Sequence, residues 1–368
     1  MLKVIISGGG TGGHVFPAIA IANALKEKLG EEVHILFVGA KGKIEMEKVP
    51  KAGYPIEGLW ISGLHRKLTL RNLLFPVKLM SSLLKSWSII RRFQPDAAVG
   101  VGGFASGPLL RMAASMNVPS LIQEQNSYAG LTNRLLAGRV NRICVAYDHM
   151  DRYFPAGKII WTGNPVRKDV GQHTAAKSEA LSHFGLKQNK PVIFVFGGSL
   201  GAQSINEAMA ANSTFLREHD EVQVLWQAGK LYYERFKTCE TAQLSNVEVR
   251  PFIDRMDLAY KMADLVVCRA GALTIAELSV LGQPAMLIPS PNVAEDHQTK
   301  NAMALVEKNA AILVKDADAP AKIMSQAFEL LQNQEKLLEL QTNILQLARP
   351  DAAQRIAEEI LDLIENKE

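Results

Sequence analysis

Apolar residues come along this chain in short runs that end in glycine, each followed by a longer stretch with apolar positions at helical spacing. Val4–Ser7 runs into Gly8-Gly9-Gly10, and from Pro17 to Leu29 the apolar residues recur with the period of a helix packed on one face. Val33–Val38, Ala97–Val101, Val118–Gln123 and Arg142–Val145 continue the series as strands. The pattern then restarts with Val192–Phe196, the turn Gly197-Gly198-Ser199-Leu200-Gly201 and a helix from Ala202. Val222–Trp226, Val247–Val249, Leu265–Cys268, Ala285–Ile288 and Ala311–Val314 are the later strands. Strands alternating with helical stretches predict parallel sheets covered on both faces, an α/β protein. Two separate openings of strand, glycine turn and helix predict two such sheets, although no sequence repeat extends beyond the turns.

A length of 368 residues suits two domains of about 150–200 residues each. The segment Thr162-Gly163-Asn164-Pro165-Val166-Arg167, punctuated by Gly and Pro, places the boundary between 1–164 and 165–350. Charge divides there too. Residues 1–165 hold 20 Lys and Arg against 10 Asp and Glu, while residues 166–368 hold 21 against 27. The basic first half points to an anionic surface or partner. Three widely spaced cysteines without a CxxC, two of them (Cys144 and Cys268) in apolar runs, read as reduced buried thiols and a reducing compartment. The N-terminus reads as a strand and not a leader, and no run of about 18 apolar residues spans a bilayer.

Chemistry concentrates at the ends of the strands. Gly8, Gly10 and Gly13 satisfy GxGxxG, but a dinucleotide site needs an acid after the second strand, and Gly39-Ala40-Lys41-Gly42-Lys43 has none. The loop through Thr11, Gly12 and Gly13 reads better as bare backbone N–H groups at a helix start, suited to negative charge. His14 is either a packed, capping imidazole or a base for an acceptor hydroxyl; histidine, with an unperturbed pKa of about 6.5, suits that task. The loop around Ser199 repeats the arrangement in the second half. After Cys268, the stretch Ala272-Leu273-Thr274-Ile275-Ala276-Glu277 offers a helix start and a carboxylate for ribose hydroxyls, or simply a first-turn acid. Glu124 and Asn126 follow a strand and reach the crevice of His14 or stand as loop polars in solvent. Glu295-Asp296-His297-Gln298 fits no common metal-ligand spacing and reads as polar groups for sugar hydroxyls, and Asp316-Ala317-Asp318 reads as helix capping. No metal and no cofactor is expected.

The stretch between Glu57 and Asp96 carries no acid. Arg66, Lys67, Arg71, Lys78, Lys85, Arg91 and Arg92 alternate there with leucines, Met80 and Trp87, and a helix is expected from Pro76 to about Phe93. Part of the apolar set of segment 66–92 must be core; the set is either core only or also a basic amphipathic face on anionic lipid. Nucleic acid is not expected, since aromatics for stacking are few.

Taken together, GGGTGGHVFPA, GGFASGP, QEQNSYAGLTN, TGNPVR, GGSLGAQSIN, CRAGALTIAE and DHQTKNA resemble, in order and spacing, the motif set of the MurG family, from about Ile5 to Ala302. The resemblance implies two Rossmann-like domains facing a cleft, the GT-B glycosyltransferase fold, with the last helix, 351–368, packing back on the first domain. It implies inverting transfer of N-acetylglucosamine from UDP-N-acetylglucosamine to the 4-hydroxyl of N-acetylmuramic acid on undecaprenyl-diphosphate-linked muramyl pentapeptide, giving lipid II for peptidoglycan on the cytoplasmic face of the inner membrane. The donor contacts it implies are Thr11, Gly12, Gly13, Asn126, Arg167, Ser199, Ile253, Ala272, Leu273, Thr274, Glu277 and Gln298. Arg167 and the Ile253 backbone would hold uracil, Ser199 and the Ala272–Thr274 turn the diphosphate, Glu277 the ribose and Gln298 the sugar, while the N-terminal glycine loop would face the acceptor's diphosphate and the reaction centre. Ile275 and Ala276 complete that helix start, and His14 is the expected base with Glu124 as rival or partner. Phe104 stands where relatives often carry Tyr, so a phenolic hydroxyl has no role there. The alternatives are a diacylglycerol glucosyltransferase of the same fold, an NADP oxidoreductase and a non-catalytic sugar-nucleotide binder.

Overall fold

The structure is a computed structural model that describes residues 1–63, 74–167, 170 and 175–366. The chain folds as two compact units, one of Met1–Val166 with Arg349–Glu368 and one of Arg167–Ala348.

The first unit runs β1 (Leu2–Ser7), α1 (Gly12–Leu29), β2 (Val33–Ala40), α2 (Glu45–Lys51), β3 (Ile56–Leu59), α3 (Phe75–Phe93), β4 (Ala97–Gly100), α4 (Ser106–Ser115), β5 (Ser120–Glu124), α5 (Leu131–Leu136), β6 (Arg142–Val145) and β7 (Ile159–Trp161). Among the described residues its sheet has seven parallel strands in the order β3-β2-β1-β4-β5-β6-β7. Both faces are covered, which is why β1 is a continuous β-branched run and not an alternating one. Val4 and Ile6 enter a core with Ile21 and Leu25 of α1, while Ile5 enters the opposite core with Ile89 and Leu109.

The second unit runs β8 (Val192–Phe196), α6 (Gln203–Ala210), β9 (Gln223–Gln227), β10 (Val247–Arg250), α7 (Met256–Met262), β11 (Leu265–Cys268), α8 (Ala272–Leu281), β12 (Ala285–Leu287), α9 (His297–Val306) and β13 (Ile312–Leu313), with further helices that include Ala319–Gln332 and Gln334–Gln346. Its six described strands are parallel in the order β10-β9-β8-β11-β12-β13, around a core centred on Trp226. The terminal helix α10 (Ala352–Glu365) packs on the first unit and places Ile356, Ala357 and Ile360 in the core of α1 and β1.

Two strands escape the hydrophobic pattern. Ile56–Leu59 contains Glu57 and Gly58, and Ile159–Trp161 has three residues. Each pairs along a strand edge, of β2 and of β6, that the rest of the sheet has already supplied. α1 starts at Gly12, five residues before the expected Pro17, so the end of the glycine loop is itself the first helical turn. Cys144 and Cys268 are buried, and burial pushes the Cys144 thiol up to about 12.

In α3, Ser82, Ser86, Ile89 and Ile90 are buried, whereas Val77, Met80, Leu84 and Trp87 form an exposed stripe at spacings of three and four. A core-only role for the α3 apolar set is thereby overturned. Arg66, Lys67, Leu68, Leu70, Arg71 and Leu73 of the segment 66–92 lie outside the described residues. No described helix is long and apolar enough to cross a membrane.

Candidate functional site

In an open parallel sheet, two neighbouring strands whose connections leave in opposite directions open a crevice at their C-terminal ends. The strand orders put that point between β1 and β4 in the first unit and between β8 and β11 in the second. The glycine motifs stand at both.

In the first unit the loops after β1 and β4 touch. A Cβ on Gly103, whose φ is +87°, would lie 2.2 Å from the Gly9 carbonyl oxygen, so only glycine lets the two loops meet. A Cβ on Gly102 would lie 2.6 Å from His14 Cδ2, so the imidazole packs against this turn. His14 Nδ1 is 3.2 Å from Thr11 Oγ1. The Phe104 ring covers Gly63 and Gly10.

Glu124 has a different place from the one its motif suggested. The residue is buried at the end of β5, and its oxygens accept from four donors: Oε1 from the Asn126 amide and side chain at 3.1 and 3.3 Å, Oε2 from the Gly130 amide and Asn133 Nδ2 at 3.0 and 2.9 Å. Burial pushes its pKa up, and these hydrogen bonds oppose the shift. A carboxylate surrounded in this way shapes the loop 125–130 and orients Asn126. It is poorly placed to take a proton from a substrate.

In the second unit a cleft of about 590 Å³ is lined by Gly198, Gln203, Arg269, Thr274 and Gln298, among others. Ser199 is exposed on the loop above β8, and Gly271 caps α8, whose first turn contains no acid. Ile275 departs from expectation. Its side chain is buried and its N–H donates to the Gly271 carbonyl at 2.9 Å, so it belongs to the core. Glu277 is buried near the same point. Arg167 Nε donates to its Oε1 at 3.1 Å and Tyr260 Oη to its Oε2 at 3.0 Å. The phenol is itself fully buried, and burial together with the neighbouring Glu277 charge pushes its pKa far up, which keeps it a donor. Gln298 Oε1 accepts from the Ser290 amide at 2.8 Å, and its amino group is a donor.

At the turn that holds Ile253, the Ile253 N–H donates to Gln227 Oε1 at 2.8 Å. The same Gln227 donates from Nε2 to the Gly198 carbonyl at 3.1 Å. One buried amide thus ties the Ile253 turn to the second glycine loop. Replacing Gln227 with alanine removes the partner of both backbone groups, a cost of about 1–3 kcal/mol for each. The Kd for UDP-sugar, measured by calorimetry, should rise about tenfold with acceptor KM unchanged; an unaltered Kd would dismiss the coupling.

Asp316 does not cap a helix. It pairs with Arg269, whose guanidinium also donates to the Ile288 carbonyl at 2.9 Å and to Ser204 Oγ at 2.7 Å, fixing the floor of the cleft. Gln227, Tyr260 and Arg269 carry no local signal for these roles; each acts on a partner 17 or more residues away.

These two switch-point sites can be set beside known proteins. Models of the glycosyltransferase family 28 N-terminal and C-terminal domains match residues 4–145 and 192–356. A UDP-N-acetylglucosamine–N-acetylmuramyl-(pentapeptide) pyrophosphoryl-undecaprenol N-acetylglucosamine transferase from Cytophaga hutchinsonii is 53% identical over 98% of this chain and 97% of its own. The chain belongs to the MurG family of glycosyltransferase family 28. A MurG-family relative from Bacteroides fragilis with the same description is 53% identical over 98% of this chain and 96% of its own. The crystal structure of Acinetobacter baumannii MurG is 28% identical with a TM-score of 0.78, covering 98% of this chain and all of that one. The fold reaches beyond the MurG family. UDP-GlcNAc 2-epimerase from Neisseria meningitidis bound to UDP-GlcNAc has a TM-score of 0.70 over 98% of this chain and 100% of its own, but at 14% identity it speaks to the fold alone.

Proposed function

We propose that this MurG-family chain transfers N-acetylglucosamine from UDP-N-acetylglucosamine to the 4-hydroxyl of the N-acetylmuramic acid of undecaprenyl-diphosphate-linked muramyl pentapeptide, with inversion. The observation that carries the reading is 53% identity along nearly the whole length of a relative so described, with the motif residues gathered at both sheet switch points. The second unit holds the donor: the Ile253 carbonyl and Arg167 meet uracil, Glu277 the ribose, Ser199 and the α8 amides of Ala272–Thr274 the diphosphate, and Gln298 the sugar. The first unit holds the acceptor beside His14. The imidazole takes the proton of the 4-hydroxyl as its oxygen attacks the anomeric carbon from the face opposite UDP, and the bond to UDP breaks. One base on the face opposite the leaving group is what inversion requires. Backbone amides and a helix N-terminus stabilise the charge that grows on the leaving diphosphate. Incubation with labelled UDP-N-acetylglucosamine and a lipid I analogue should give a labelled disaccharide lipid and UDP in equal amounts. No product, or preferential binding of a nicotinamide cofactor, would sink the assignment.

We further propose that the exposed face of α3 seats the protein on an anionic membrane surface. Supporting this are the stripe Val77, Met80, Leu84 and Trp87, the Arg91 guanidinium 5.2 Å over the Trp87 ring, and Lys78 5.8 Å from the exposed Trp60 ring. Arg92 and Lys85 pair with Glu57, so apolar insertion outweighs their charge. Sedimentation with anionic vesicles should show binding that salt weakens, and a Met80→Gln, Leu84→Gln double variant should lose it by about tenfold. Equal, salt-insensitive binding to neutral vesicles would remove the electrostatic component.

A further inference from the structure

The strand β2 ends without the acid that a dinucleotide site uses, yet an acid does reach this place. Glu45, in the first turn of α2, is fully buried. Its Oε2 accepts the Gly10 N–H at 2.8 Å and its Oε1 the Ala40 N–H at 2.9 Å. Each oxygen accepts one backbone N–H, and the two donors come from different loops. The packing around it is just as restrictive. A Cβ on Gly9 would lie 2.1 Å from Glu45 Oε1, and one on Gly39 would lie 2.5 Å from Glu45 Cγ. At Gly9 and Gly39, a side chain would thus meet Glu45 itself. A nucleotide ribose could not use this carboxylate, since it is turned onto the protein's own amides.

The first glycine loop is consequently less bare than its sequence suggests. Glu45 takes the Gly10 amide, and the amides of His14 and Val15 bond back to the Thr11 carbonyl at 3.2 Å. What the loop presents lies in Thr11, Gly12 and Gly13, one residue beyond the point that Glu45 holds. A loop of consecutive glycines has many backbone conformations to lose. Holding it at Gly10 fixes where α1 begins, and hence where His14 stands.

We propose that Glu45 is a positioning residue for transfer: its carboxylate pins the Gly8–Gly10 turn to the end of β2 and so sets the Thr11–His14 segment against the acceptor. The role in transfer rests on the function proposed above; the pinning does not. The test compares wild type with Glu45→Gln, which keeps the shape but presents an amino group to one of the two N–H donors, and with Glu45→Asp, which keeps the charge but withdraws it. Hydrogen exchange of the segment 8–15 should rise at least about tenfold in Glu45→Gln, with the segment 197–203 of the other unit unchanged. Turnover should fall at least about tenfold, the donor KM should stay within about twofold, and Glu45→Asp should recover part of both effects. Wild-type exchange at 8–15 in Glu45→Gln would overturn the proposal. So would a loss of turnover that merely follows the folded fraction, with exchange rising equally in both units. A wild-type protein that makes no disaccharide lipid ends the functional reading, and the exchange comparison still decides whether Glu45 holds the loop.

Discussion

Replacing His14 with alanine should lower turnover by about 10²–10⁴-fold at saturating substrates, the range that loss of a positioned proton acceptor produces. The binding of UDP-N-acetylglucosamine in the absence of acceptor should barely change. The imidazole packs on Gly102 in the first unit, whereas the cleft at Gly198, Thr274 and Gln298 belongs to the second. Glu124→Gln gives the contrast. Its carboxylate is enclosed by four loop donors, so the variant should disturb Asn126 and the loop 125–130 and raise acceptor KM, without the deep loss of turnover expected for a missing base. Single-turnover rates with both substrates saturating separate the two cases. If His14→Ala keeps near wild-type turnover, the base lies elsewhere.

Ending the chain at Ala348 should unfold the first unit and leave the second folded. The missing piece includes α10, whose Ile356, Ala357 and Ile360 are fully buried among Val4, Ile21, Leu25 and Val99. Burying one isoleucine is worth about 1.5–3 kcal/mol. Losing two of them, and exposing the faces of α1 and β4 they cover, consumes most of a typical domain stability of about 5–15 kcal/mol. Arg142 loses Glu359 and Asp362, and Lys28 loses Glu358, but these surface pairs count for little beside the apolar loss. The second unit, Arg167–Ala348, contributes nothing to that core and should keep its melting transition and its affinity for UDP. Calorimetry would resolve two transitions in the full chain and one in the truncated form. A truncated protein that retained both would show that α10 is dispensable.

Much of this architecture is legible in the amino-acid order because it depends on near neighbours. Val4–Ser7, Arg142–Val145, Val192–Phe196 and Leu265–Cys268 are strands that the apolar runs mark almost to the residue, since burial on both faces requires an uninterrupted run. The glycine turns mark their own positions too, and a parallel sheet places every such turn at one edge. That is why the sequence places His14, Ser199, Thr274 and Glu277 near the ends of strands.

What the order of residues leaves open is which distant group each polar atom meets. Glu45 and Gly10 are 35 residues apart, Gln227 and Gly198 are 29, and Tyr260 and Glu277 are 17. The partner in each case is fixed by strand order and by the depth at which a helix packs, neither of which has a local signature. The same holds for Glu124, whose motif suggested a reactive acid until burial and four donors made it a scaffold. It holds for α10 as well, an amphipathic helix whose apolar face fits many surfaces and which only the finished first unit selects. Periodicity decides elements because it is a property of consecutive residues, while the chemistry of a buried polar group is decided by whatever the fold brings within hydrogen-bonding distance.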